Sequence, residues 1–136
     1  MLPDRPLGGL QSNETPGAQM LFFFLAGHAL MDFSLQTDAM ATCKCRRANL
    51  PLQRSVPWYY WMTAHTLLHG AAVGGVVSLG YPGMWNLIVG FAVAETAIHW
   101  VIDFGKCEKL YNIHIDQALH VLCKFAWWGL LVGGVV

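Results

Sequence analysis

Within its apolar stretches the chain carries histidines and carboxylates in pairs four residues apart: His28/Asp32, His65/His69, His99/Asp103 and Asp116/His120. That spacing sets both members of a pair on one helix face. Ionisable side chains inside apolar helices are costly and mark functional sites. Imidazoles and carboxylates projecting from facing helices are the donor set of a buried divalent-metal site. The expected ligands are therefore His28, Asp32, His65, His69, His99, Asp103, Asp116 and His120. Nitrogen with carboxylate oxygen, and no Cys or Met on these faces, suits zinc first, then iron or manganese, and disfavours copper(I). Eight candidates exceed the three or four protein ligands of one zinc. Either two ions lie close together, or some of the eight orient the ligand histidines. Haem fits poorly, because carboxylates accompany the histidines and no Cys-x-x-Cys-His string occurs.

Glu95 stands one turn before His99, and Lys124 one turn after His120. At the helical rise, both lie about 13 Å inside their helices. Opposite charges at one level in a low dielectric should pair. Such a bridge either fixes helix register or presents Glu95 as general base to a metal-bound water. Blander roles exist for single members of the set. A lone histidine can simply hydrogen-bond between helices, and Asp116 can cap the helix that it opens.

The elements that must position these residues are long and apolar. The 136 residues are 55% hydrophobic and 12% charged, with mean hydropathy +0.42. Soluble domains carry about 25% charged residues. Segments 18–36, 58–79, 84–104 and 115–136 each approach the roughly 20 residues of a membrane span. The expectation is an all-α fold, a four-helix transmembrane bundle over 18–136, preceded by a mobile Pro/Gly-rich tail over 1–17. The first span does not read as a signal peptide. Arg5 is the only cation before it, and cleavage would discard His28 and Asp32.

Lys44, Arg46, Arg47 and Arg54 lie between spans 1 and 2, and Lys106 and Lys109 between spans 3 and 4, whereas the other side has only Arg5. The positive-inside bias then puts both basic loops in the cytoplasm and both termini outside. With that orientation all eight candidate ligands fall in the cytoplasmic half, from the boundary to roughly 17 Å deep at the helical rise. Trp58-Tyr59-Tyr60-Trp61 reads as an interfacial anchor. Cys43, Cys45 and Cys107 would be reduced cytoplasmic thiols, and Cys123 a small core residue. Gly70/Gly74 and Gly129/Gly133 would let helices approach closely. A net charge of zero gives no support for nucleic-acid binding.

The strings His28-Ala-Leu-Met-Asp32-Phe33-Ser-Leu-Gln36, His99-Trp-Val-Ile-Asp103 with Lys106, and Asp116-Gln117-Ala-Leu-His120 resemble an uncharacterised family of small polytopic membrane proteins. That family is spread through bacteria and their phages, and the likeness runs from about residue 21 to 128. It implies a bacterial inner-membrane protein but carries no reaction. The motif set is more loosely similar to membrane-bound metal-dependent hydrolases, an analogy only. Two functional expectations follow. One is an integral membrane metalloprotein with one or two divalent ions, hydrolysing a membrane-associated ester, amide or phosphoester with Glu95 as base. The other is a non-catalytic subunit of a larger membrane complex, its polar core stabilised by metal or hydrogen bonds. Partners on either view are the lipid bilayer and membrane proteins or further copies of the chain. An ion conduit is disfavoured, since the polar residues fill only one half.

Overall fold

The computed structural model describes residues 16–134. Most of the expected tail lies outside them, but Pro16 and Gly17 already belong to the first helix. Among the described residues the chain is all-α: α1 Pro16–Ala29, α2 Asp38–Cys43, α3 Leu52–Ser55, α4 Trp58–Gly80, α5 Trp85–Cys107 and α6 Ile113–Val132. The four expected spans correspond to α1, α4, α5 and α6. The two short helices lie in the basic loop.

Local chemistry explains most boundaries. Proline needs no amide partner, so Pro16 opens α1 without loss. At its far end α1 widens into a π turn over Leu30–Ser34, closed by the Leu35 amide on the Leu30 carbonyl at 2.9 Å. Such turns add a residue to one helical turn and are common at functional sites, and this one carries Asp32. Thr37 caps α2 by accepting from the Met40 amide at 3.2 Å. Asn49, with φ 47°, reverses the chain before α3. Pro57 precedes α4, and Gly83, with φ 82°, makes the short turn into α5. Asn112 caps α6, its side chain accepting from the His114 and Ile115 amides. Asp116 therefore does not cap this helix. It sits a turn further in, fully buried and turned toward the core.

The helices close a ring in which α1 packs on α4 and α6, α4 chiefly on α5, and α5 on α6. Gly70 allows the closest approach: a Cβ there would collide with Thr96 Oγ1 and the Ala92 carbonyl of α5. Gly74 also faces Ala92, whereas Gly129 has open space around it. The expected small-residue contact thus exists on α4 and not at Gly129. One end of the bundle is apolar, with Met20, Phe24, Val73, Val77, Ile88, Phe91 and Leu131 packed together. Tyr81 donates to the Leu131 carbonyl and Trp128 to the Gly17 carbonyl, tying that end shut. The other end is filled by the histidines and carboxylates.

The basic loop folds over this polar end. Cys45 is disulfide-bonded to Cys107 at the end of α5, which corrects the expectation that both are free thiols. Cys43 and Cys123 are free. The bridge joins the two basic loops that charge bias assigned to a reducing compartment, where such bonds are rare. Arg46 and Arg47 reach Glu108 at 2.6 and 2.7 Å, and the Arg46 hydrogen bond holds the Glu108 carboxyl below its usual range. Tyr111 donates to the Ile102 carbonyl, folding the α5–α6 connection against α5.

Candidate metal centre

Each of the four long helices turns its pair inward. His28, His65, His69, His99, Asp103, Asp116 and His120 are all buried, and the Asp32 side chain is 8% exposed. His114, the sixth histidine, lies exposed at the start of α6.

The imidazoles form the middle of the site. His99 stacks between His69 and His120, with ring centroids 3.7 and 4.0 Å away and planes within 27° and 25°. His28 lies 5.1 Å from His120 and 5.4 Å from His69, while His65 lies 4.7 Å from His69. Two aspartates flank the stack. Asp32 Oδ1 is 3.0 Å from His69 Nε2 and 3.3 Å from His65 Nε2. Its Oδ2 accepts from Gln117 Nε2 at 2.8 Å and lies 3.6 Å from His28 Nε2. Asp103 Oδ2 lies 2.5 Å from Lys44 Nζ, 3.3 Å from His65 Nε2 and 3.7 Å from His99 Nε2, and its Oδ1 is 3.5 Å from His120 Nε2. Asp116 stands beside His120 at 3.7 Å and Lys106 at 3.5 Å.

Two subsets bring one donor atom per residue within 4.8 Å of one another: Asp32, His65, His69 and His99, and then His99, Asp103 and His120. Both include His99, whose Nδ1 faces Glu95 Oε1 at 3.3 Å. A carboxylate accepting from Nδ1–H fixes the tautomer and leaves the Nε2 lone pair for a cation. His99 Nε2 is buried without a hydrogen-bond partner, as are both ring nitrogens of His120, His28 Nδ1 and Asp116 Oδ1. Buried polar atoms are almost always satisfied, and five such atoms in one cluster form a donor set that could hold a cation.

Glu95 and Lys124 pair as opposite charges at one level should. Lys124 Nζ lies 2.5 Å from Glu95 Oε1, and Trp127 Nε1 donates to Oε2 at 2.6 Å. Both Glu95 oxygens are therefore engaged, and the geometry fits orientation of His99 better than proton abstraction.

Reasoning from the sequence missed four participants: Lys44, Gln36, Gln117 and Trp127. Gln36 Nε2 reaches the His65 ring at 3.2 Å, and Gln117 bridges Asp32 and His28. Both glutamines stood inside the recognisable strings, Asp-Phe-x-x-Gln and Asp-Gln-x-x-His, and that was their signal. Lys44 stood in the basic loop, and nothing in its neighbours distinguished it.

Comparison with known proteins places the chain in one family. The model of a family described as "Protein of unknown function (DUF3307)" matches residues 20–132. The chain belongs to this family. DUF3307 membership covers every residue of the polar cluster, from His28 to Lys124. No curated protein and no solved structure matches the chain. Membership of DUF3307 accordingly supports the fold unit and says nothing of a reaction.

Proposed function

We propose that this DUF3307 protein is an integral membrane metalloprotein whose bundle core holds a divalent ion and uses it to hydrolyse a membrane-associated ester, amide or phosphoester. The observation that carries the metal is the stack of buried imidazoles beside Asp32 and Asp103, with ring nitrogens that have no hydrogen-bond partner. Zinc suits the nitrogen-rich donor set best, and iron or manganese would accept it. A bound ion would lower the pKa of its water toward about 7 and polarise the scissile group. Glu95, held by Lys124 and Trp127, would orient His99.

Membrane residence is supported by the distribution of side chains. The interior holds His, Asp, Glu and Lys, while Leu79, Trp85, Phe33, Val101, Phe22 and Leu122 are more than 60% exposed. Water-soluble folds do the reverse. One described helix, α5, is long and apolar enough to cross a membrane by length and composition. We take α1 with its π turn, α4 and α6 to span with it, their inward histidines and glycines lowering a hydropathy that their outward faces retain. In a bacterium this would be the inner membrane; the charge bias puts the basic loops on the cytoplasmic side, whereas the Cys45–Cys107 bridge favours the oxidising side.

A second reading has its own support. The crevice that leads to His28, His69 and Lys124 between Phe24, Gly27 and Val73 is about 180 Å³ and admits no water-sized sphere. A closed core favours an ion that only fixes the scaffold of an accessory subunit in a larger membrane assembly. Elemental analysis of the full chain, extracted in mild detergent without added metal, tests the common part. At least one equivalent of zinc, iron or manganese is expected, with loss in His69→Ala, and metal-free, fully folded protein would overturn it. Turnover of ester or phosphoester lipids by the loaded protein, abolished in the same variant, separates hydrolase from scaffold.

A further inference from the structure

The two metal-like clusters differ in how their carboxylates are neutralised. Glu95 has Lys124 at 2.5 Å, Asp103 has Lys44 at 2.5 Å and Asp116 has Lys106 at 3.5 Å. Asp32 faces only His28, His65, His69 and the amide of Gln117. Among the described residues it is the one core carboxylate without a lysine or arginine. A buried carboxylate needs a compensating charge, and the atoms around Asp32 are imidazole nitrogens of metal-ligand type and the Gln117 amide. Its neighbour His99 also offers a fully buried Nε2 that has no hydrogen-bond partner.

Lys44 explains why the second cluster differs. It comes from the loop, not from a helix of the bundle, yet its side chain is 2% exposed and its ammonium sits on Asp103 Oδ2. The next residue, Cys45, is bonded to Cys107, and Arg46 and Arg47 are bound to Glu108. The loop is thus fastened on the far side of Lys44, which holds the ammonium in the cluster. An ammonium on one oxygen of Asp103 cancels the negative charge that a divalent ion at His99, Asp103 and His120 would need. We infer that the chain binds one divalent ion, at Asp32, His65, His69 and His99, and that Lys44 is the tethered cation of the adjoining His99–Asp103–His120 site. This assignment rests on the metalloprotein reading above and adds its location and stoichiometry.

Cobalt(II) titration of the full chain in detergent micelles tests it, read by d–d absorption and by bound equivalents after desalting. Wild type should bind one equivalent tightly. Asp32→Asn should lose that equivalent, and Lys44→Gln should bind two. The double variant Lys44→Gln/Asp103→Asn strands no charge, so it remains informative if Lys44→Gln does not fold, and it should bind one. Unchanged tight binding in Asp32→Asn, two equivalents in wild type, or none in the double variant would overturn the assignment while leaving a metalloprotein. No cobalt in any folded variant would overturn both.

Discussion

Glu95 and Lys124 make the energetic prediction that the structure constrains most. Both side chains are 1% exposed and 2.5 Å apart, but they are not equally supported. Glu95 also accepts from Trp127 at 2.6 Å and faces His99 at 3.3 Å, whereas Lys124 has no other hydrogen-bonded partner among the described residues. Breaking a buried pair by removing one member costs about 3–5 kcal/mol, because the survivor keeps its charge without compensation. Lys124→Met leaves a carboxylate with two donors and should fall near the low end, about 3 kcal/mol. Glu95→Met leaves an ammonium with none and should approach the high end, about 5 kcal/mol. Methionine roughly conserves volume at both positions, which keeps cavity effects small. Since an apolar pair of similar size often matches a buried ion pair, the double Met variant should recover most of either loss. Unfolding in mixed micelles, titrated with a denaturing detergent and followed by circular dichroism, gives the three differences. Single variants as stable as wild type, a reversed order, or a double variant whose loss equals the sum of the two would refute the argument.

The other predictions concern how the bundle is fastened. Protein denatured without reductant should present two thiols to maleimide, those of Cys43 and Cys123, because Cys45 and Cys107 are joined. Four reactive thiols would show that the bridge does not form, whereas with two the Cys45→Ser variant should lose about 2–4 kcal/mol. Gly70→Val should cost about 1–3 kcal/mol or more by forcing α4 from Ala92 and Thr96. Gly129→Ala, with nothing near, should stay within about 0.5 kcal/mol of wild type. Thermal melts in the same micelles would check both, and equal effects would mean that the α4–α5 contact is not the tight one.

Much of the bundle was legible because polar pairs and apolar runs share one periodicity. Segments 58–79 and 84–104 fall within a few residues of α4 and α5, since Pro57, Gly80, Pro82 and Gly83 punctuate both ends of α4 and the start of α5. The first span, 18–36, likewise falls within a few residues of α1 and its π turn. The 3.6-residue repeat has no way to announce a π turn, yet Asp32 still lies beside His28, at 3.6 Å, as the spacing predicted. The basic loop was read as polar connection, yet it contains two short helices, a 3-10 turn and a disulfide. The disulfide and the Arg–Glu108 pairs join residues some 60 apart, which no local pattern encodes, whereas the Thr37 cap of α2 is local. Asp116 was expected in the polar cluster, with a helix cap as its blander role; Asn112 takes the cap and Asp116 is buried in the core.

The candidate site was legible for one physical reason and incomplete for another. Histidine and aspartate inside an apolar helix stand out because their burial is expensive, so every such residue within the spans could be identified without knowing its neighbours. Lysine in a basic loop is ordinary, and the sequence gives no reason to separate Lys44 from Arg46, Arg47 or Arg54. The fold makes that separation. Arg46 and Arg47 stay half-exposed on Glu108, while Lys44, two residues away, is drawn into the imidazole cluster against Asp103. A carboxylate count alone suggests room for two ions. Once the ammonium groups are placed, three of the four core carboxylates are already matched within the chain. What remains is Asp32 with its histidines, and the charge that a metal would have to supply is located there.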